Sequence, residues 1–179
     1  MASQTKSSPA AATIDTEAFY IEWHGHLSQH LRTIVAHTAF SAPGVKRVWL
    51  AGDSSLDNKH WLFDGPRSYV DQLMAPSCPI GSKAVNGYEH VLSPPVMGHD
   101  VSFWCNSIAA EDLGPGRVVT INTSVEATTI ADRDDALLPQ DAFIRDNIRA
   151  GDFVVASLGG NDIALAPSTC TAVSDSVLF

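Results

Sequence analysis

The stretch of sequence that decides the fold reads VWLAGDSSLDNKHW and spans Val48–Trp61. Four apolar residues, Val48–Ala51, are followed at once by Gly52-Asp53-Ser54 and then by polar residues that suit the start of a helix. A short apolar run bounded by turn residues is typical of a buried strand. The stretch therefore predicts a strand that ends in a sharp turn, with a serine held out of the core at its tip.

Similar apolar runs recur along the chain, and segments with helical spacing lie between them. The predicted strands are 46–51, 117–122 and 153–158, and the predicted helices are 15–40, 100–110 and 139–150. Alternation of this kind predicts an α/β fold, with parallel strands covered by helices on both faces. We expect a flexible leader over residues 1–13 and a single domain over 14–179, with its core in 45–167. The segment 58–97 is rich in Gly and Pro and predicts a long irregular loop, which is often functional.

Composition excludes several classes of partner. Charged residues make up 17% of the 179, the formal net charge is −9, and no basic run occurs. Nucleic acid and an acidic membrane surface are therefore not expected as partners. The sequence shows neither a signal peptide nor 18 consecutive apolar residues, so we predict no transmembrane segment. The three cysteines show no CxxC pattern, and free thiols in the cytoplasm are the simplest interpretation.

Each predicted strand ends in small or polar residues. The three ends are Gly52-Asp53-Ser54, Asn122-Thr123-Ser124 and Gly159-Gly160-Asn161-Asp162. Because the carboxyl ends of parallel strands line one edge of a sheet, we expect these clusters to converge there. A serine hydroxyl beside backbone N–H groups and an asparagine amide suits acyl transfer, since these donors stabilise a developing oxyanion.

These residues resemble the SGNH hydrolases, also called GDSL-type esterases and lipases, over about Val45 to Pro167. Gly52-Asp53-Ser54 matches the first block, and Leu158–Asp162 matches the Gly-x-Asn-Asp block. The resemblance implies a three-layer α/β/α sandwich with a central parallel, flavodoxin-like sheet. It also implies hydrolysis of small-molecule or lipid carboxylic esters without a cofactor. Ser54 would be the nucleophile and an oxyanion donor, and Asn161 a second donor. The supporting residues would be Gly52, Asp53, Asp57, Gly160 and Asp162.

The oxyanion block departs from the family pattern. The family places a glycine N–H in the oxyanion hole, and the segment here reads Asn122–Thr129, with Glu126 at the expected position. A backbone N–H is still available there, but its carboxylate must turn away from the developing charge. An alternative alignment places Ser124 in that position.

The family's last block, Asp-x-x-His, is absent, since no histidine follows Asp162. We therefore expect a domain that lacks the last strands and is weak or inactive as an esterase. The alternative is a non-catalytic protein that binds acyl groups or esters. The last ten or so residues are a candidate for sequence foreign to the domain. Asp57-Asn58-Lys59-His60 spells the motif literally, but lies too close to Ser54 along the chain for His60 to reach it.

Four histidines cluster in the first predicted helix. His26 and His30 share the i, i+4 spacing of a two-histidine metal site, but the sequence offers no third ligand. We therefore predict no metal and place the cluster, which is His24, His26, His30 and His37, on the helix surface.

Overall fold

The computed structural model describes residues 12–65, 67–77 and 79–164. The strands are β1 Ile14–Asp15, β2 Lys46–Gly52, β3 Gly81–Lys83, β4 Leu92–Ser93, β5 Val96–Gly98, β6 Val118–Asn122 and β7 Phe153–Ser157. The α-helices are α1 Thr16–Ile21, α2 Ser28–Ala36, α3 Thr38–Ser41, α4 Tyr69–Leu73, α5 Val101–Leu113, α6 Pro139–Asn147 and α7 Gly160–Ala164. Short 3₁₀ helices span Lys59–Leu62, Tyr88–His90 and Ala131–Arg133. Most of the predicted leader, and residues 165–179, lie outside the described residues.

A parallel sheet of three strands, in the order β6-β2-β7, lies at the centre of the described fold. Trp49 of β2 pairs with Ile121 of β6 on one side and with Val154 of β7 on the other. The strand predictions are confirmed to within one residue at each end. The chain is therefore a mixed α/β protein with a parallel sheet, as the apolar runs predicted.

Side chains of β2 lie next to residues of two helices, α6 and α5. Phe143 of α6 meets Trp49 edge to face, with ring centroids 6.3 Å apart. Val48 points to the opposite face because successive strand side chains alternate, and it lines a groove with Cys105 and Ile108 of α5. The buried Arg47 guanidinium pairs at 2.7 Å with Asp152, just before β7.

The predicted helix 15–40 is wrong as a single element, because it is divided into α1, α2 and α3. The break after α1 contains Gly25, whose φ of +79° is left-handed. Its N–H donates to Asp57 Oδ2 at 2.9 Å, and a Cβ there would lie 3.1 Å from Val125. Contacts with distant segments therefore override the helical spacing. No helix among the described residues has both the length and the apolar character needed to cross a membrane.

The predicted irregular segment 58–97 is mostly short turns and two-stranded pairings. β3 pairs antiparallel with β5, and β4 pairs parallel with β1. The segment still carries core side chains, since Leu73, Tyr88 and Met97 are buried. It is thus a packed part of the domain and ends at the predicted helix α5, which runs three residues further than expected.

Candidate functional site

The turn after β2 holds Ser54 at the carboxyl edge of the sheet. Gly52 pairs with Ser157, and a Cβ at Gly52 would lie only 2.1 Å from the Ser157 carbonyl oxygen. The Asp53 N–H donates to that same oxygen at 3.1 Å, and Asp53 Oδ1 accepts from the Ser55 N–H at 3.0 Å. Glycine is required here because the two backbones touch, and the buried Asp53 fixes the turn that carries Ser54.

The expected helix after this turn is absent. Residues 54–56 form a turn, and the next helical element is the 3₁₀ helix Lys59–Leu62. Backbone donors beside Ser54 therefore belong to a turn, without the aligned peptide dipoles of an α-helix. The Ser54 side chain itself is half-buried, so part of it is exposed at this edge of the sheet.

The segment after β6 is hydrogen-bonded to the end of β2. The N–H of Thr123 donates to the Leu50 carbonyl and that of Val125 to the Gly52 carbonyl, both at 2.9 Å. Arg133 adds a bond from Nη2 to the Gly52 carbonyl at 3.2 Å and pairs with Asp141 at 2.9 Å. The sequence did not single out Arg133, since an isolated arginine carries no signal of such a role.

The structure corrects the assignment of Glu126 as an oxyanion donor. Its backbone N–H donates to Asp57 Oδ2 at 3.0 Å, and the Ser124 N–H of the alternative alignment donates to Asn122 Oδ1 at 3.0 Å. Neither N–H is free for a substrate oxygen. The next residue, Ala127, has a φ of +58°, a conformation that favours glycine, and its N–H bonds to no other described residue. Sequence inspection missed Ala127 because an alanine gives no sign of a left-handed backbone.

Helix α7, which follows β7, lies next to the segments that follow β6 and β2. Asn161 Nδ2 donates to the Thr128 carbonyl at 2.9 Å, and Asp162 accepts from the Ile130 N–H at 3.0 Å. A Cβ on Gly160 would lie 4.0 Å from Asp53 Oδ2, so the start of α7 is next to the Ser54 turn. The three predicted clusters do converge at one edge of the sheet.

A buried ion pair lies beneath this edge. Asp57 and Lys59 are both fully buried, and Lys59 Nζ donates to Asp57 Oδ1 at 2.5 Å. The other Asp57 oxygen accepts from the N–H groups of Gly25 and Glu126. Asp57 therefore supports the loop that leads to Ala127 and does not cap a helix. Its oxygens are occupied, so it cannot orient His60, which is exposed.

Two carboxyl groups near this ion pair have raised pKa values. Burial raises the pKa of Asp100 to about 7, against hydrogen bonding from the Phe103 N–H and the nearby Lys59 charge. Burial also raises the pKa of Glu126, whose Oε2 accepts from Trp61 Nε1 at 3.2 Å. The Glu126 side chain thus accepts a hydrogen bond from a tryptophan that is itself exposed.

The histidines do not supply a base for Ser54. No hydrogen bond joins Ser54 to a histidine within residues 12–65, 67–77 and 79–164; His99 Nε2 lies 2.6 Å from Ser82, and His90 is exposed. The surface placement predicted for His26 and His30 is wrong, because both are buried and His26 stacks on Phe19 with centroids 3.9 Å apart. Burial, with the nearby Lys59 and His30, holds the pKa of His26 well below its usual range.

Among the described residues, no group of three or more His, Cys, Asp or Glu side chains is arranged to hold a metal ion.

Comparison with protein-family models, curated proteins and solved structures found no match.

Proposed function

We propose that the site around Ser54 binds carboxylic esters and hydrolyses them slowly, in a three-layer α/β/α domain of the SGNH type. The observation that carries this proposal is the convergence of the Ser54 turn, the Ala127 loop and the Asn161 side chain. The opposite placement of α5 and α6 relative to Val48 and Trp49 supports the layered architecture. A mixed parallel α/β fold is compatible with it.

In this proposal Ser54 Oγ attacks the ester carbonyl carbon, and the carbonyl oxygen gains the negative charge. The bond from that carbon to the alcohol oxygen then breaks, and the alcohol leaves with a proton from water. A second water hydrolyses the acyl-serine to the carboxylic acid and restores Ser54.

The backbone N–H groups of Ser54 and Ala127 have no hydrogen-bond partner among the described residues, and they are the donors offered to the carbonyl oxygen. Asn161 adds a side-chain donor, because its amide has two N–H groups and only one is engaged by the Thr128 carbonyl. Each donor of this kind is worth about 10²–10³ in rate.

The slow rate follows from proton transfer. The hydroxyl proton of Ser54 must leave as Oγ attacks, and no described histidine is bonded to Ser54 to accept it. Water takes the proton instead, and water is a poor base at neutral pH. In serine hydrolases with a full triad, loss of the histidine costs on the order of 10⁶ in kcat.

The test uses p-nitrophenyl acetate with the full chain and two matched variants. Ser54→Ala removes the nucleophile, whereas Ser55→Ala removes a neighbouring hydroxyl that bonds to Ser157 Oγ at 2.7 Å. We expect slow hydrolysis that Ser54→Ala abolishes and Ser55→Ala leaves within a few-fold. Asn161→Ala should reduce the Ser54-dependent rate by about 10²–10³. Equal rates for the wild type and Ser54→Ala would contradict the proposal.

A second candidate is an acyl- or ester-binding protein without turnover. The absence of a bonded histidine at Ser54, within the described residues, favours it. Binding of a non-hydrolysable ester analogue separates the two, because calorimetry reports binding whether or not turnover occurs. Binding with no Ser54-dependent hydrolysis would support this second candidate, and hydrolysis lost in Ser54→Ala would exclude it.

A further inference from the structure

A single arginine side chain bonds to several of the segments that converge at the carboxyl edge of the sheet. Arg133 Nη2 donates to the Gly52 carbonyl at 3.2 Å and to Thr128 Oγ1 at 3.3 Å. Its Nη1 donates to the Thr129 carbonyl at 2.7 Å, and its Nε pairs with Asp141 of α6 at 2.9 Å. The Arg133 side chain is only 12% exposed, so the guanidinium lies inside the protein with every nitrogen engaged.

The bond to Gly52 acts on the last peptide group of β2. The carbonyl of that group accepts from the Arg133 guanidinium and from the Val125 N–H, which lies at 2.9 Å. The N–H of the same group belongs to Asp53 and donates to the Ser157 carbonyl at 3.1 Å. A charged donor on the carbonyl polarises the peptide and strengthens the bond made by its N–H. The turn that carries the nucleophile is therefore held at both ends of one peptide group.

The bond to Thr128 acts on the two other groups that face the oxyanion. Thr128 Oγ1, which accepts from Arg133, donates to the Val125 carbonyl at 2.8 Å. This second bond closes the turn that contains Ala127. The Thr128 carbonyl accepts from Asn161 Nδ2 at 2.9 Å. One residue, Thr128, thus connects the guanidinium to the Ala127 turn and to the Asn161 amide.

The shape of the guanidinium is what allows these bonds. Its N–H groups form a rigid planar fork, and acceptors on four residues surround it in this structure. A lysine ammonium is a compact point charge on a flexible stem and cannot reproduce this pattern. The Asp141 carboxylate, 13% exposed, offsets the charge of the arginine. Geometry, more than net charge, is therefore what Arg133 contributes.

We propose that Arg133 is a positioning residue for ester hydrolysis at this site. It sets how far Ser54 Oγ lies from the oxyanion donors of Ala127 and Asn161, and it touches no reacting atom. The inference rests on the proposed function, in which these three groups meet one ester carbonyl. A misplacement of about 1 Å costs about 10²-fold in rate. Because Arg133 makes no contact with substrate, its loss should lower kcat and leave KM unchanged.

Hydrolysis of p-nitrophenyl acetate by the full chain gives the first test. Arg133→Gln should lower the Ser54-dependent kcat by about 10²-fold, with KM within a few-fold of the wild type. Arg133→Lys keeps the charge but not the fork, and should be as slow as Arg133→Gln. The control is Arg145→Gln, an exposed arginine bonded at 2.7 Å to the neighbouring Asp146, which should keep kcat within a few-fold. Full activity in Arg133→Lys, or a change in KM alone, would overturn the inference.

A double variant tests whether Arg133 acts through the oxyanion donors. Asn161→Ala should reduce kcat less in the Arg133→Gln background than in the wild type, because the amide is already displaced there. Residues that act as a unit are non-additive in this way. Independent, multiplying losses from the two substitutions would overturn the inference.

Hydrogen exchange tests the positioning without turnover. In Arg133→Gln the amides of Asp53 and Val125 should exchange about tenfold faster, since a hydrogen bond to a charged group is lost beside them. The Thr120 amide, which donates to Asn106 Oδ1 at 2.9 Å, should keep its rate. Unchanged rates at Asp53 and Val125, or equal acceleration at all three amides, would overturn the inference. A wild type without Ser54-dependent hydrolysis would refute the proposed function, and these exchange rates would still decide whether Arg133 holds the segments.

Discussion

Replacing Gly52 with alanine should destabilise the protein by about 2–4 kcal/mol. The added methyl group would lie 2.1 Å from the Ser157 carbonyl oxygen and 3.0 Å from its carbonyl carbon. Both are backbone atoms of the paired strand, so no rotation of a side chain can relieve the overlap. Strand β7 must move away from β2, and the hydrogen bond from Asp53 to Ser157 lengthens.

The magnitude follows from two terms. Overpacking in a well-packed region costs about 1–3 kcal/mol. Loss of one backbone hydrogen bond adds about 0.5–1.5 kcal/mol, since the Asp53 turn is buried. For a chain of 179 residues, the sum corresponds to a fall in Tm of about 5–15 °C.

Urea unfolding followed by circular dichroism measures the effect, and Gly160→Ala is the matched control. Gly160 lies in the same site, but the nearest atom to its added Cβ would be Asp53 Oδ2, at an unstrained 4.0 Å. Alanine there should be neutral or stabilising by up to about 1 kcal/mol. If Gly52→Ala and Gly160→Ala had equal stability, the close approach of β2 and β7 would be refuted.

Three further substitutions test the surroundings of the site. Asp57→Asn should lower the free energy of unfolding in urea by about 3–5 kcal/mol, because the buried Lys59 ammonium loses its anion. Asp100→Asn should flatten the pH dependence of stability. Burial raises the Asp100 pKa to about 7. Wild-type stability should therefore fall as the pH rises from about 4 to about 7, because the unfolded state releases a proton that the folded state keeps. Ala127→Gly should raise the free energy of unfolding by roughly 1 kcal/mol, because glycine adopts the φ of +58° without a steric clash.

Each of these predictions has its own control. The double variant Asp57→Asn with Lys59→Met should recover part of the lost stability, since it removes the stranded charge. The free energy of unfolding of Asp100→Asn should be measured at acid and at neutral pH. If it changes with pH as much as that of the wild type, a group other than Asp100 titrates in this range. Ala131→Gly, in the 3₁₀ helix Ala131–Arg133, should be destabilised. A loss of stability in both Ala127→Gly and Ala131→Gly would count against backbone strain at Ala127.

The central strands were predictable because their signal is local. Each is an apolar run bounded by glycine, proline or polar residues, and parallel pairing then dictates that their ends meet at one edge. The convergence of Ser54, Asn161 and the loop after β6 needed no more information than this. The helix α5 was equally clear, since Asp100 caps its start and Gly114 ends it.

The features that were missed depend on contacts between distant segments. Periodic apolar residues run on through Gly25, and only its contacts with Asp57 and Val125 show that the helix must break there. Glu126 was assigned to the oxyanion hole because it occupies the position of the family's glycine. Its hydrogen bond to Asp57 cannot be read from the sequence. The burial of His26, in the segment between α1 and α2, follows from its stacking on Phe19 of α1, seven residues earlier.

The Asp57 carboxylate also has a consequence for how the site assembles. It joins Gly25, 32 residues earlier, to Glu126, 69 residues later. Closing two long loops costs chain entropy before the contact is gained, so these bonds should form late in folding. The amide protons of Gly25 and Glu126 share one acceptor, and solvent should reach both in the same opening event. The Gly25 and Glu126 segments should accordingly open and close as one cooperative unit, so the two amides should show the same protection from hydrogen exchange.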